Sequence, residues 1–195
     1  GHAEEDRILR KSGLRHGDML ILTKPLGTGV LLAGWMQGRV KHRFLGEALA
    51  TMSMSNRNAA SVFVENSAHA CTDVTGFGLI GHLGEMVKAS QVHVKLNISS
   101  VPALPGALEL FDAGVESTLQ SGNRSAAYQY INDLDALQDA KILMDPQTSG
   151  GLIAAVRSEF APQILRRLKN IGNSQACIVG VVTDGAPGRI SIHRE

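Results

Sequence analysis

Thr72-Asp73-Val74-Thr75-Gly76-Phe77-Gly78-Leu79-Ile80-Gly81-His82-Leu83-Gly84-Glu85 is the stretch on which the fold turns. Residues 68–75 read as a strand. From residue 78 the apolar positions Leu79, Leu83, Met86 and Val87 recur three and four apart with Ile80 alongside, which predicts an amphipathic helix over 78–90. Gly76 and Gly78 let the chain turn tightly between the two. Downstream, Val92, Val94, Leu96 and Ile98 alternate as a half-buried strand, and Pro102 and Pro105 introduce a helix over 105–113. The polar stretch 115–140 predicts short helices at 123–131 and 133–139. After it come strand 141–144, turn 145–151, strand 151–156, helix 159–171, strand 176–183, turn 184–188 and strand 189–193. Upstream, residues 1–17 are charged and broken by Gly13 and Gly17, and read as a linker ahead of a domain over 18–195. Asp18 opens the apolar run MLILTKPL, a strand stopped by Pro25 and Gly27. A short helix over 29–37 follows, then helix over 41–66 divided near Ser53–Asn56. Helices and strands mix without a strict alternation, and the last two strands read as a hairpin through Asp184-Gly185-Ala186-Pro187-Gly188. This predicts an α+β fold, a mixed β-sheet with helices packed on it.

Composition narrows the function classes. The chain has 195 residues, 44% of them apolar, with a formal net charge of +1. Apolar content at that level with nearly balanced charge excludes general disorder, and the lack of a basic excess argues against a dedicated nucleic-acid binder. No window holds the roughly 18 consecutive apolar residues of a membrane span, and no leader-like segment opens the sequence, so the expectation is a soluble, cytoplasmic chain without membrane contact. Cys71 and Cys177 stand far apart without metal-ligand spacing, and both adjoin apolar runs, which predicts buried reduced thiols. His69, two residues before Cys71, would share its strand face, the one arrangement that keeps an activated thiol in view.

Two stretches depart from what a mere core would choose. In the first, Asp73 and Thr75 project to the same side if residues 70–75 are extended, and the helix start behind Gly76 and Gly78 has free backbone N–H groups that favour an anion. A carboxylate and a hydroxyl at such a place suit a magnesium–phosphate group; pattern alone favours a capped helix packed tightly on a sheet, with Asp73 bonded to local amides. Gly81 and Gly84 each cost a helix about 1 kcal/mol relative to alanine, so a closely packed neighbour or a ligand must offset them. His82 falls three residues before Glu85, within reach of a carboxylate contact, and reads as a helix-surface or interface histidine before it reads as a general base. The second stretch is Asp145-Pro146-Gln147-Thr148-Ser149-Gly150-Gly151, whose successive amides could form an anion-binding concavity; Asp145 reads as a residue engaged within its own turn. A weaker group, Thr23-Lys24-Pro25-Leu26-Gly27-Thr28-Gly29, lacks the order of a P-loop, and Lys24 reads as a solvated strand-end lysine. One plausible metal carboxylate, Asp73, without an activated nucleophile, describes part of an active site.

The motifs LTKPLGTG at 22–29, M-x-x-x-N at 52–56, TDVTGFGLIGHLGEM at 72–86, LPGA at 104–107 and DPQTSGGL at 145–152 resemble the selenophosphate synthetase (selenide, water dikinase) family. That family shares a superfamily with aminoimidazole ribonucleotide synthetase; thiamine-monophosphate kinase and the hydrogenase maturation relative fit the two most specific motifs less well. The resemblance covers 18–195 and implies a sandwich like the C-terminal domain of aminoimidazole ribonucleotide synthetase. It further implies an enzyme that converts ATP, selenide and water into selenophosphate, AMP and phosphate, with Mg2+ and as a homodimer. Asp73 matches the family's metal-binding aspartate; Thr75, Gly76 and Thr148 would lie near the nucleotide phosphates or a domain interface. The family's N-terminal ATP-binding domain, with its Cys or selenocysteine nucleophile and essential Lys, has no counterpart in these residues, and neither Cys71 nor Cys177 matches that nucleophile. The chain alone is therefore expected to be inactive. A non-catalytic ligand-binding or dimerisation module on the same scaffold, or a related ATP-dependent enzyme with another acceptor, would carry the same domain.

Overall fold

A computed structural model describes residues 5–131 and 140–194. The strands are β1 (Met19–Leu22), β2 (Ala70–Asp73), β3 (His93–Asn97), β4 (Leu152–Val156), β5 (Cys177–Thr183) and β6 (Arg189–His193). They form one sheet in the order β2-β4-β1-β5-β3-β6, antiparallel throughout except for the parallel pair β3–β6. The described helices are α1 (Thr28–Met36), α2 (His42–Ser53), α3 (Arg57–Glu65), α4 (Gly78–Ser90), α5 (Ala107–Asp112), α6 (Gln120–Ala127) and α7 (Ala161–Asn170).

Side-chain alternation splits the core. Leu20, Leu22, Ile153 and Ala155 face a large cluster shared with α1, α4, α5 and α6. Ile21, Cys71, Ala154 and Val156 face a smaller one under α3 and α7. Strand residues of period two thus serve two helical layers at once, which is why β1 and β4 read as unbroken apolar runs. The β2 edge does not end bare: the Cys71 N–H donates to the Arg10 carbonyl, and Leu14 from the leading segment sits in the large core. Among the described residues no helix is long and apolar enough to cross a membrane.

The mixed α+β architecture stands as predicted, and the divided helix falls at α2 and α3. Three local expectations do not stand. Residues 141–144 form a 3-10 turn instead of a strand; a short run with Ile142, Leu143 and Met144 all buried carries no period that separates strand from helical turn. The expected helix over 123–131 runs instead over Gln120–Ala127, and the one at 133–139 lies outside the described residues. The terminal hairpin is split: β3 lies between β5 and β6, with Val94 facing Val182 on one side and Ile190 on the other. Five residues at 184–188 suffice to cross two strand spacings of about 4.8 Å each, and an open turn signal is the same whether or not a third strand inserts.

Gly84 is explained by packing, since a methyl group there would overlap the Tyr130 ring. Gly84→Ala should therefore lose about 1–2 kcal/mol despite its better helix propensity. Gly46→Ala in α2, where the added methyl meets nothing, should gain about 0.5–1 kcal/mol. Urea midpoints of the two variants check the opposite signs.

Candidate functional site

The three polar motifs converge on one loop. Between the 3-10 turn and β4, residues 145–151 lie against the start of α1 on one side and the end of β2 on the other. Gln147 Oε1 accepts from the Gly27 amide at 3.1 Å, the Thr28 amide at 3.3 Å and the Thr28 hydroxyl at 3.1 Å. Its Nε2 donates to the Asp145 carbonyl at 2.8 Å and to Asp145 Oδ2 at 3.0 Å. Asp145 Oδ2 also accepts the Gly29 amide at 3.0 Å, so a carboxylate stands at the N-terminus of α1 from a distant part of the sequence. The amides that would make residues 23–29 a phosphate loop are thus taken by the protein itself.

Lys24 is fully buried, against expectation. Its ammonium donates to the Met54 carbonyl at 2.6 Å and the Ser149 carbonyl at 2.9 Å, and burial lowers its pKa. The α2–α3 connection covers the strand end, and two carbonyls replace the water the lysine gives up. Asn56 Nδ2 donates to the Gly150 carbonyl at 2.8 Å, Thr23 Oγ1 accepts the Leu152 amide at 2.8 Å, and Asn123 Nδ2 ties the Gly76 and Met144 carbonyls at 2.8 and 2.9 Å. Gly150 packs so closely on Val74 that any side chain there would collide with its carbonyl.

Against this framework stand the predicted site residues. Asp73, exposed, ends the edge strand β2, and its carboxylate accepts from Thr72 Oγ1 at 3.5 Å. The Thr75 carbonyl accepts the Gln147 amide at 2.9 Å, which brings the two motifs together. Gly76, Thr148, Pro146, Leu32, Met36 and Leu119 line one cavity of about 350 Å³. Gly78, with φ of 69°, makes the turn into α4 as expected. Among the described residues no three His, Cys, Asp or Glu side chains cluster as a metal site. Asp73 supplies one hard, exposed oxygen donor, which fits a Mg2+ that keeps waters and takes further ligands from phosphates.

His82 is not a surface histidine. It is buried, with Nε2 3.0 Å from the Thr75 hydroxyl and Nδ1 3.9 Å from Glu85 Oε2. Burial lowers its pKa, partly offset by Glu85 and Asp73, so the ring is neutral. Nδ1 is buried and makes no hydrogen bond among the described residues, and which of Thr75 and Nε2 donates follows the tautomer of the ring. His69 faces Asp18, 2.9 Å from Nδ1. Cys71 is buried as expected whereas Cys177 is only half-buried; burial pushes their thiols up to about 12 and about 11, away from the thiolate form.

The roles of Gln147, Asn56, Asn123 and Lys24 were not foreseeable from spacing; the one signal was a loop too polar for a plain strand connection. Asp145 is engaged within its own turn as expected, through Gln147, and in addition caps α1. Burial raises it from 3.8 to about 7, against hydrogen bonds from Gln147 and the Gly29 and Val30 amides that pull it down. An unfolded chain ionises this group near 3.8, so folding takes up a proton between there and neutrality. Its contribution to stability is complete at acid pH and is lost as pH rises through about 7, on the order of 4 kcal/mol in all. Asp145→Asn should flatten that fall, as read from urea midpoints across the pH range from mildly acid to mildly alkaline.

Residues 15–193 match the family model described as AIR synthase related protein, C-terminal domain. The chain is 40% identical over 195 residues to the selenide, water dikinase of Pelobacter propionicus, covering 98% of this chain and 56% of that protein. It is 35% identical over 186 residues to the selenide, water dikinase of Clostridioides difficile, covering 93% and 53%. Among solved structures, hydrogenase maturation protein HypE in complex with ATP superposes with a TM-score of 0.73 at 17% identity, over 100% of this chain and 52% of that one. Thiamine-monophosphate kinase from Stenotrophomonas maltophilia K279a gives 0.68 at 17% identity, over 99% and 55%. At those identities the likeness is one of fold. The chain spans about half the length of the curated relatives it matches.

Proposed function

The chain belongs to the AIR synthase related family through that family's C-terminal domain, and from this premise we propose that it is the C-terminal half of a selenide, water dikinase. The reaction is the conversion of ATP, selenide and water into selenophosphate, AMP and phosphate, carried out in the cytoplasm by a homodimer. The leading segment 1–17 joins the domain 18–195 to an N-terminal ATP-binding domain that brings the Cys or selenocysteine nucleophile and the essential Lys. The observation that carries this reading is the exposed Asp73 carboxylate beside Thr75 and Gly76, next to a loop locked in place by Gln147.

Within that reading Asp73 holds Mg2+, which when bound neutralises phosphate charge and orients the transferred group. Among the described residues Asp73 has only the 3.5 Å side-chain contact with Thr72 Oγ1 to give up on binding. Thr75, its hydroxyl hydrogen-bonded to His82, offers its remaining bonding capacity toward the cation or its waters. The Thr148 hydroxyl, exposed on the loop, is free to donate to a phosphate oxygen, and Gly76 leaves the approach open. His82 acts through Thr75 and positions it. None of these groups is an activated nucleophile, so this half binds and orients, and bond breaking awaits the other.

Asp73→Asn in the polypeptide that includes the N-terminal domain is expected to lower selenide-dependent AMP formation about a hundredfold, with circular dichroism unchanged because the side chain supports no packing. An unchanged Mg2+-dependent rate would instead favour a ligand-binding or dimerisation module. The 195-residue chain by itself should form no AMP. Replacing selenide by other small nucleophiles distinguishes this enzyme from relatives with a different acceptor.

A further inference from the structure

Residues 10–14 of the leading segment are stitched to both β2 and α4, the two elements that meet at residues 73–78. The Arg10 carbonyl accepts the Cys71 amide at 2.8 Å. The Gly13 and Leu14 amides donate to Ser90 Oγ, at the end of α4, at 3.0 and 3.2 Å. Leu14 is buried in the large core, and a methyl group on Gly13 would overlap the His69 carbonyl. The backbone on either side of Lys11 is therefore fixed, and its ammonium meets Glu85 Oε2 at 2.6 Å. A surface ion pair is usually weakened by the entropy of ordering two long side chains; here the fold has already placed the lysine.

The same Glu85 oxygen lies 3.9 Å from His82 Nδ1. That nitrogen is buried and makes no hydrogen bond among the described residues, while Nε2 lies 3.0 Å from the Thr75 hydroxyl. Burial lowers the His82 pKa, Glu85 and Asp73 draw it back, and Lys11 adds to the fall. The ring is thus neutral and within reach of the Lys11 charge, and its single proton sits on one nitrogen or the other.

We propose that Lys11 and Glu85 are positioning residues for Thr75, acting through the tautomer of His82. With Lys11 on Glu85, the carboxylate is held back from Nδ1 and its charge is offset. Nδ1 then keeps a bare lone pair, since an orphaned acceptor is better tolerated in an interior than an orphaned N–H. Nε2 carries the proton and donates to Thr75, whose own proton is left pointing away from the ring. Without Lys11, Glu85 closes about 1 Å to hydrogen-bond distance and fixes the proton on Nδ1. Thr75 then donates to Nε2 and has both lone pairs free. On the reading that Asp73 and Thr75 face a cation, the second state is the better ligand, and Lys11 holds the site in the first.

The imidazole nitrogen shifts of His82 in the 195-residue chain, recorded without metal, test the relay apart from any reaction. In the unaltered chain Nε2 should be the protonated nitrogen. Lys11→Met should move the two nitrogen shifts in opposite senses as the proton passes to Nδ1, whereas Lys11→Arg keeps the charge and should leave them in place. Adding Glu85→Ala to Lys11→Met should restore the Nε2-protonated ring. Lys88→Met, which removes an exposed cation from the same helix, should change nothing. The relay is overturned by Nδ1 protonation in the unaltered chain, by unmoved shifts in Lys11→Met, or by a change that survives Glu85→Ala. In the polypeptide that includes the N-terminal domain, Lys11→Met should lower severalfold the Mg2+ needed for half-maximal AMP formation, and Lys88→Met should not. A His82 ring that responds while the Mg2+ requirement stays constant supports the relay and removes Thr75 from the cation's surroundings.

Discussion

A single buried amide side chain organises this domain. Gln147 uses its oxygen to collect three donors from residues 27 and 28 and its nitrogen to hold Asp145. All of these groups lie out of water, and leaving one of them unmade costs about 1–3 kcal/mol. The loop therefore cannot shift piecemeal. It moves with α1, and through the Thr75 carbonyl and the Gly150–Val74 contact it also moves with β2. Residues 23–29, 73–76 and 145–151 form one rigid body although they come from three distant parts of the chain.

That rigidity assigns the two helix starts different tasks. At α1 the free amides are met by Gln147 and Asp145, so the helix end is a structural joint. At α4 the N-cap residue Phe77 makes no side-chain cap, and the residues before it carry the exposed carboxylate. Sequence alone makes both starts look like phosphate sites, since each has glycines and hydroxyls. Burial separates them: Asp145 is wholly enclosed and Asp73 is exposed. A carboxylate raised to about 7 by burial fills a joint well and would serve poorly as a standing cation ligand.

Much of this was legible in the residues. The strand-to-helix turn at 73–78, the alternation at 92–98, the break between α2 and α3 and the two special loops all follow from local chemistry, and local chemistry is what a sequence displays. The misreadings share one cause. Lys24 reads as solvated because lysines are; only the distant Met54 and Ser149 carbonyls make its burial tolerable. His82 reads as a surface residue because α4 places it on the polar flank, yet the neighbouring Thr75 gives its ring a partner indoors. The split terminal hairpin depends on where β3 inserts, and nothing in the turn at 184–188 encodes that. Gly84 is the intermediate case, since its cost was visible while the offsetting Tyr130 ring was not.

The division between saturated and unsaturated polar groups also bears on the proposal that the site is shared with a second domain. In the lattice of residues 145–151 the buried donors and acceptors are nearly all spent on one another, whereas Asp73 and Thr148 stand at the surface with bonding capacity left over. One carboxylate cannot complete the octahedral shell of a magnesium ion. Nor would a second carboxylate beside it be cheap, because two uncompensated like charges on an exposed edge repel. A fold that keeps one acidic ligand on a rigid wall and takes the others from a second body avoids that repulsion until the cation arrives to cancel it. On the proposed reading, closure of the other half would displace water and strengthen each electrostatic contact.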